Sequence, residues 1–345
     1  MKIVALRLRK EVESMYCKKC GYDLRASNDH CPECGRFFDR QKSNTYSMHA
    51  PHLAFWSWVK RVLATVVLIF VLLGSIWLWL YQGWRREQKS LKELEPWIVE
   101  TKTYPIGGEK WQRRLGSVGF VLNRVTEVGI RNEAPLTTTD MTSLGQFKQL
   151  QELWIGGTGV NDEGLANLEE LTDLRVLILL SDRKITDAGL GHLKRLKKLE
   201  WLDLQGTQVT DAGLENLKEL NKLQRLSLSG TKITDAGVSQ LKRLPDLQHL
   251  KLSGTSVLGT TLADLKDLRV LYMDGTAIRD ANLVPIARLQ ELREFYIWNT
   301  AVTDTGLMQL QSLKNLRHLN VSGTQVTEPG AKELQALLPD LFIQR

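Results

Sequence analysis

The chain has 345 residues, 25% of them charged and 43% hydrophobic, an ordinary composition for a globular protein and a length sufficient for two or three folding units. Its formal net charge of +7 is concentrated at one end. Residues 1–61 carry 12 Lys and Arg against 6 Asp and Glu, whereas the other residues carry 34 against 33. The large C-terminal part therefore lacks the concentrated positive field that general nucleic-acid binding needs, which argues against nucleic acid as its partner.

Residues 1–16 form a basic N-terminal segment, and residues 17–40 contain all four cysteines of the chain. The cysteines form two C-x-x-C-G motifs separated by 10 residues. Four thiolates suit tetrahedral Zn²⁺, and a glycine after each pair permits the tight turn that directs backbone amides at sulfur. The segment resembles a short zinc ribbon. We therefore expect one structural Zn²⁺ per chain, in a closed site formed by Cys17, Cys20, Cys31 and Cys34.

Other interpretations of the cysteine segment have less support. A thioredoxin-type redox site would need only one such pair, within a βαβ fold that the surrounding sequence lacks. His30 is interpreted as a bystander rather than as a fifth ligand, although it is adjacent to Cys31. The basic residues around the motifs could contact anionic lipid headgroups or nucleic acid, or they could form a solvated tail. These residues are Arg7, Arg9, Lys10, Lys18, Lys19 and Arg25.

Residues 41–61 are interpreted as a linker, and residues 62–81 form an uncharged apolar run. A helix of this length, at about 1.5 Å per residue, matches a hydrocarbon core about 30 Å thick. Basic residues flank both ends of the run, and tryptophan and tyrosine residues lie near both predicted interfaces. A cleaved signal peptide would start earlier and be shorter. We predict a single transmembrane helix at 62–81, with a buried core helix as the alternative.

The orientation of the predicted membrane helix is inferred from the cysteines. Lys and Arg are similarly frequent on both sides of the apolar run, so the positive-inside rule does not decide the orientation. Reduced thiols that can bind a metal belong in a reducing cytoplasm. We therefore expect a single-pass protein with its N-terminus in the cytoplasm and its C-terminal domain outside it.

Residues 82–124 are predicted to form a juxtamembrane helix and an N-terminal cap. The stretch EQKSLKELEPWIV begins as a helix that stops near Pro96. Residues 104–108 form a turn-rich break, and WQRRLGSVGFVL is predicted to be a short amphipathic element that covers the first repeat.

Residues 125–345 repeat a unit that begins with the pattern L-x-x-L-x-L. Residues 199–222, LEWLDLQGTQVTDAGLENLKELNK, show the unit clearly, and the next copy matches them at nearly every apolar position. Glu133 marks the first unit as degenerate. The unit from Leu247 is shorter and lacks the T-D-x-G element, which predicts a shortened helix and a local change in curvature. A last strand is predicted to start at Leu341. The nine units start at Val125, Leu150, Leu174, Leu199, Leu223, Leu247, Leu268, Leu292 and Leu316.

The period and the core pattern of these units resemble the leucine-rich-repeat family. The recurring G-T-x-V-T-D-x-G-L resembles the ribonuclease-inhibitor-like class in its bacterial form. This resemblance implies an α/β solenoid, a horseshoe of about nine 24-residue units whose parallel strands line the concave surface. One unit cannot bury its leucines alone, so stacked neighbours must form a continuous core.

Within each unit, the alternating leucines predict a short strand, and leucines at spacing three mark the buried side of a helix. Thr210 or Asp211 is expected to cap that helix, and the recurring aspartates are interpreted as helix caps rather than acid/base residues. Those aspartates are Asp187, Asp211, Asp235 and Asp304. Threonine after each strand predicts a ladder of hydroxyls bonded to neighbouring backbone. The ladder comprises Thr158, Thr207, Thr231, Thr255, Thr276, Thr300 and Thr324, with Asp182 in the third repeat.

The non-leucine strand positions form three solvent-facing columns on the predicted concave surface. They contain an apolar patch early in the array and an aromatic patch near its end, separated by polar positions. Grouped exposed aromatic residues are typical of interface anchors. Alternatively, some of them are covered by the cap or by a second copy, or serve as strand-favouring residues. The predicted partner-binding residues are Trp154, Ile178, Trp201, Arg225, Lys251, Tyr272, Tyr296 and Trp298.

These features predict a membrane-anchored protein that binds a protein or peptide partner through the concave face of its repeats. Two alternatives stay open: a transmembrane sensor that couples ligand binding to the zinc module, and a cytoplasm-facing assembly scaffold. An enzyme is not expected, because the sequence has no Gly-rich phosphate loop, nucleophile elbow, His-Glu zinc motif or paired carboxylates outside the repeat pattern.

Overall fold

A computed structural model describes residues 16–19, 22–24, 27, 29–39, 51–96, 98–105, 123–130 and 135–345. The predictions for Cys20, for Glu133 and for the amphipathic element at 111–122 lie outside the described residues, as does the basic segment except Tyr16. The chain divides into two compact units, Met1–Trp79 and Leu80–Arg345.

A single long helix, α1, extends from Pro51 to Leu94. It begins at Pro51, inside the segment interpreted as a linker. It continues without a break because no proline follows Pro51 until Pro96. Every side chain from residue 61 to residue 79 is exposed, so the buried-core alternative has no support in the described part of the chain. Among the described helices, α1 alone is long and apolar enough to cross a membrane.

Two antiparallel strands, β1 (Ile98–Pro105) and β2 (Asn123–Ile130), begin the sheet of the second unit. The prediction of a turn-rich break at 104–108 is wrong for its first two residues, because Tyr104 and Pro105 lie in β1. The sequence IVETKTY is rich in β-branched residues, which favours a strand.

Nine further strands extend the sheet in chain order, and all of them pair in parallel. The predicted repeats are thus confirmed as the units of a continuous parallel sheet, and the last strand follows Leu341 as expected. The strands are β3 (Glu152–Gly156), β4 (Val176–Leu180), β5 (Trp201–Asp203), β6 (Arg225–Ser227), β7 (His249–Lys251), β8 (Val270–Tyr272), β9 (Glu294–Tyr296), β10 (His318–Asn320) and β11 (Phe342–Gln344).

Short helical segments connect the strands. The repeat from Leu247 has only the 3₁₀ segment Leu262–Asp264, which confirms its predicted shortened helix. The α-helical segments are Thr138–Leu144, Asp162–Ala166, Asp187–Leu190, Asp235–Val238, Leu283–Ile286, Asp304–Leu307 and Glu328–Leu337. The other 3₁₀ segments are Gly191–Leu193, Asp211–Leu217, Ser239–Arg243, Asp280–Asn282 and Met308–Ser312.

The leucines of the repeat form one continuous core. In the copy at 199–222, the strand leucines Leu199, Leu202 and Leu204 have no exposed surface, and Leu214 and Leu217 of the helical segment are at most 2% exposed. Each fully buried leucine contributes about 1.5–3 kcal/mol relative to an exposed one, so the stack of repeats is held mainly by these side chains.

Six of the seven threonines after the strands donate a hydrogen bond to the carbonyl oxygen three residues earlier. Thr207 Oγ1 lies 2.8 Å from Leu204 O, so each bond closes its own turn rather than joining two repeats. The predicted ladder is wrong at Thr158, whose buried hydroxyl has no hydrogen-bond partner among the described residues. Asp182 takes the same position in the third repeat but accepts the N–H of Gly159 in the preceding repeat at 2.7 Å. The bond recurs at Thr231, Thr255, Thr276, Thr300 and Thr324.

The aspartate of the T-D-x-G element bonds to the next repeat. Asp187 accepts the N–H of Thr210 at 2.7 Å and its hydroxyl at 2.6 Å. Thr210 caps its own helical segment by accepting the N–H of Ala212, so the interpretation of the aspartates as helix caps is wrong. We call this contact the aspartate latch. It recurs in the pairs Asp162–Thr186, Asp211–Thr234, Asp280–Thr303 and Asp304–Thr327.

The glycine of the T-D-x-G element leaves room for the latch. A Cβ atom on Gly213 would lie 2.3 Å from Asp187 Oδ1, a distance that real Cβ atoms do not reach. The same conflict, at 2.1–2.3 Å, arises at Gly189, Gly237, Gly306 and Gly330. The motif therefore encodes a contact between repeats in addition to a helix start.

Gly213→Ala is expected to lower the free energy of unfolding by about 1–3 kcal/mol, because the added methyl displaces a carboxylate that two Thr210 donors need. Gly191→Ala is the matched control, since nothing lies within 4 Å of its Cβ position. That variant should be neutral or slightly stabilising. Urea unfolding of both variants measures the difference, and equal stability would reject the latch.

From Leu80 onward, α1 belongs to the repeat unit and covers the end of its core. Leu94 is fully buried there, and Ser143 Oγ donates to Glu93 Oε2 at 2.6 Å. Arg124 donates to Leu80 O at 2.9 Å, and its Nε lies 3.5 Å from Glu87 Oε1. A buried ion pair thus joins the helix to strand β2.

Candidate functional site

The solvent-facing residues of β2–β10, here called the exposed sheet face, carry the predicted columns in the predicted register. Parallel pairing places Arg225 opposite His249 and Ser227 opposite Lys251. The columns therefore follow from the hydrogen-bonded pairing of the strands.

A pocket of about 320 Å³ lies at the middle of this face, over β5–β9. Four of the predicted partner-binding residues line this pocket together. The sequence analysis assigns these four residues to two separate patches and to the polar positions between them. The lining of this central pocket is Trp201, Arg225, Leu226, Ser227, His249, Lys251, Val270, Tyr272 and Glu294.

Cations and aromatic rings are paired in the central pocket. The guanidinium carbon of Arg225 lies 5.4 Å from the ring centroid of Trp201, and Lys251 Nζ lies 5.2 Å from that of Tyr272. Tyr272 stacks on Tyr296 with centroids 4.1 Å apart and an interplanar angle of 2°. The polar middle of the array thus links the two predicted patches through cation–π contacts.

One group in the central pocket, His249, and one beside it, Tyr296, have shifted pKa values. Burial, followed by the positive charge of Arg225, lowers the pKa of His249, so its imidazole is neutral near pH 7. Burial and then the hydrogen bond to Glu294 raise the pKa of Tyr296 above its ordinary value. The Tyr296 hydroxyl accordingly donates to Glu294 Oε2 at 2.9 Å.

The remaining predicted residues lie outside the central pocket. Trp154 is 50% exposed and lines a shallower pocket of about 380 Å³ together with Ile178 and Leu180. Ile178 is only 7% exposed, so it offers little contact area. Trp298 is 40% exposed near the other end of the array. The exposed aromatic residues therefore flank the central pocket on both sides.

Five lining residues were not among those predicted from the sequence, and three of them are polar: Ser227, His249 and Glu294. Each occupies the same columns as Arg225 and Lys251, and this shared position was the available signal. Their residue types gave no reason to select them, because isolated serine, histidine and glutamate residues are common at solvent-facing strand positions.

Three of the four predicted zinc ligands lie together in the first unit. The sulfur atoms of Cys17, Cys31 and Cys34 lie within 4.8 Å of one another, and those of Cys17 and Cys34 are 3.4 Å apart. Tetrahedral zinc with Zn–S bonds of about 2.3 Å separates its sulfur ligands by about 3.8 Å. The described donor set therefore fits the metal.

Backbone hydrogen bonds join described residues on either side of each cysteine motif. Cys17 N–H donates to Tyr22 O, and Cys31 N–H donates to Arg36 O, each at 2.9 Å. Gly35 has φ +66°, a left-handed conformation that favours glycine. Among the described residues of this segment, the buried apolar core comprises Cys17, Leu24, Cys31 and Phe38. So small a core needs a further stabilising element.

His30 is exposed, and its Nδ1 lies 2.9 Å from Asp29 Oδ1. Its ring packs edge-on against Phe37, with centroids 5.3 Å apart. The described cysteine cluster does not include this imidazole.

A sequence profile of the Leucine Rich repeat matches residues 195–218, 219–242 and 312–334. No curated protein matches the sequence. Among solved structures, the chain is similar to internalin InlF of Listeria monocytogenes, with 20% identity, 59% of this chain and 70% of that chain covered, and a TM-score of 0.44. Internalin C2 of the same species has 28% identity, coverage of 61% and 84%, and a TM-score of 0.46. TLR13 in its complex with ssRNA13 has 22% identity, coverage of 61% and 30%, and a TM-score of 0.47.

Proposed function

We propose that this chain, which carries leucine-rich repeats, is a membrane-anchored binding protein that holds a protein or peptide on the concave side of its repeat array. The observation that carries the proposal is the exposed sheet face, where Trp154 and Trp298 flank a pocket that pairs Arg225 with Trp201. Tryptophan, tyrosine and arginine dominate the binding energy of protein interfaces, particularly where aromatic anchors surround a pocket.

The proposed anchor is the apolar run 62–81 of α1. Its large apolar side chains are exposed, among them Phe70 at 70% and Trp79 at 69%, and a soluble protein rarely exposes so large an apolar surface. We place the cysteine module in the cytoplasm and the repeats outside it, because metal-binding thiols need a reducing compartment.

We also propose that Cys17, Cys20, Cys31 and Cys34 hold one structural Zn²⁺. The sulfur spacing of the three described cysteines and the small core support it. With four protein ligands the metal would have no open position, so it would supply folding energy rather than catalysis.

A photo-crosslinking residue at position 298 of the full chain, expressed in intact cells, is expected to form an ultraviolet-dependent adduct with the partner. Trp201→Ala in the same chain should reduce the adduct yield at least about tenfold, because removing an interface anchor costs about 2 kcal/mol or more. Protease added outside the cells should then digest the repeats.

Position 242 is the matched control, since Lys242 is exposed in the helical segment Ser239–Arg243, away from the sheet face. Equal adducts from positions 242 and 298, or a yield that Trp201→Ala does not change, would reject binding on the concave face. Repeats that survive the external protease would favour the cytoplasm-facing scaffold instead.

A further inference from the structure

We infer that the centre of the exposed sheet face is a carboxylate-binding site that receives an Asp or Glu side chain from an extended segment of the partner protein. This inference rests on the proposed function and specifies the chemistry of its binding surface. The site consists of Arg225, Ser227, His249 and Lys251, here called the donor block.

The donor block is produced by strand register. Arg225 and Ser227 are two residues apart on β6, and His249 and Lys251 are two residues apart on β7, so all four side chains leave the same face. Neighbouring strands are about 4.8 Å apart, and alternate residues along a strand are about 6.6 Å apart. Four hydrogen-bond donors therefore surround an area that suits a single carboxylate.

The charges of the donor block are available to a ligand. In the part of the chain that the structure describes, neither Arg225 nor Lys251 forms an ion pair, whereas Arg175 and Arg243 are paired with Glu200 and Glu215. Each cationic group lies over an aromatic ring, Arg225 over Trp201 and Lys251 Nζ over Tyr272. The Arg225 guanidinium forms no hydrogen bond among the described residues, so its N–H groups can bind a carboxylate in a bidentate manner.

Ser227 supplies an independent observation. It is 2% exposed, it lines the central pocket, and its hydroxyl has no hydrogen-bond partner among the residues that the structure describes. A buried hydroxyl without a partner costs free energy, so such groups call for a ligand or another compensating role. A carboxylate oxygen seated between Arg225 and Lys251 would accept its proton.

The surroundings favour an isolated carboxylate over a polyanion. Asp203 neighbours Ser227 on the other side in the same column, and Glu294 lies on the rim of the pocket. The repeated phosphates of an RNA strand would be repelled by the carboxylates of Asp203 and Glu294, whereas a single acidic side chain fits between them. Exposed Trp154 and Trp298 lie on opposite sides of the pocket, so a segment that contacts both crosses the donor block in mid-chain. We therefore assign a side chain rather than a chain terminus.

The test uses the full chain in lipid nanodiscs and a phage-displayed random dodecapeptide library. Peptides selected on the wild-type chain are expected to share an Asp or Glu. Replacing that residue with Asn or Gln should weaken binding to the wild-type chain about tenfold or more, as for hydrogen bonds to charged groups. The loss should disappear in the Arg225→Gln/Lys251→Gln variant.

Two further variants sharpen the test. Lys232→Gln removes one positive charge from an exposed turn of the Arg225 repeat and should leave binding unchanged. Ser227→Ala should weaken binding of the acidic peptides about two- to tenfold without lowering the melting temperature, because the hydroxyl has no partner in the described part of the chain.

Each remaining outcome would overturn the inference. Selected peptides that bind without an acidic residue would reject the donor block but leave the proposed function standing. Displacement of the peptides by a single-stranded RNA oligonucleotide in a manner that depends on Arg225 and Lys251 would assign the block to nucleic acid. Failure to select any peptide that loses binding on Trp201→Ala would reject the proposed function, and the inference with it.

Discussion

Above pH 7, where Glu87 is mostly ionised although burial raises its pKa to about 7, Glu87→Ala is expected to lower the free energy of unfolding of the repeat unit by about 3–5 kcal/mol, because it leaves the Arg124 guanidinium buried without its counter-charge. The side chains of Arg124 and Glu87 are only 6% and 5% exposed, and Glu87 Oε2 also accepts the N–H of Val125 at 3.3 Å. The measurement is urea unfolding of the full chain in detergent, followed by circular dichroism.

A second variant separates the ion pair from simple packing. Replacing both partners, as Glu87→Leu/Arg124→Met, should recover most of the loss, since apolar residues of similar volume often replace a buried pair without cost. Lys89→Ala on the same helix is the control. The Lys89 side chain in its ion pair with Glu93 is exposed, so Lys89→Ala should lower the free energy of unfolding by less than about 1 kcal/mol. A loss for Glu87→Ala no larger than for Lys89→Ala would show that the buried pair does not hold α1 to the repeats.

The repeat architecture could be predicted because every unit encodes it locally. Leucines at fixed spacing specify a strand and a helical segment, and repetition at 21–25 residues specifies parallel stacking. The exposed columns followed from the same register, so the neighbourhood of Arg225, Lys251 and Tyr272 was contained in the alignment of the repeats. The alignment does not give the direction of the side chains. That direction places Arg225 over Trp201 and so connects the early apolar patch with the later aromatic patch.

Contacts between distant positions were not predictable in this way. The aspartate latch joins Asp187 to Thr210 of the next repeat. This contact was not predicted because an Asp at the start of a helix is usually interpreted as a helix cap. The glycine two residues after each Asp was the missed signal, because Gly213 is needed only when a carboxylate from the preceding repeat occupies its Cβ position. Repeated glycine inside a helical segment otherwise costs stability.

The first strand of the sheet, β1, escaped prediction for another reason. Residues 98–105 do not belong to the repeat, so the repeat pattern that identified the other strands did not extend to them. The burial of Glu87 and Arg124 likewise depends on the docking of α1 against β2, which neither segment signals alone. Charged residues are normally exposed, and only the paired geometry accounts for these two.

Cys17→Ser is expected to remove the metal from the chain, with the zinc content falling from about one per chain to near zero. Structural zinc supplies about 10–16 kcal/mol of apparent binding energy in small zinc modules, far more than four buried side chains can provide. Without zinc, the segment around Phe38 should unfold. Elemental analysis of the purified full chain measures the metal, and alkylation by maleimide measures the exposure of the remaining thiols.

The controls distinguish a four-thiolate site from other arrangements. His30→Ala should retain zinc and protected thiols, because the exposed imidazole contacts Asp29 and Phe37 rather than the sulfur atoms. Cys20→Ser should behave like Cys17→Ser if Cys20 is the fourth ligand. Zinc retained by Cys20→Ser but lost from His30→Ala would replace the four-cysteine assignment with a site of three cysteines and one histidine. Wild-type chain purified without zinc and with slowly alkylated thiols would reject the metal altogether, since the small core would then fold unaided.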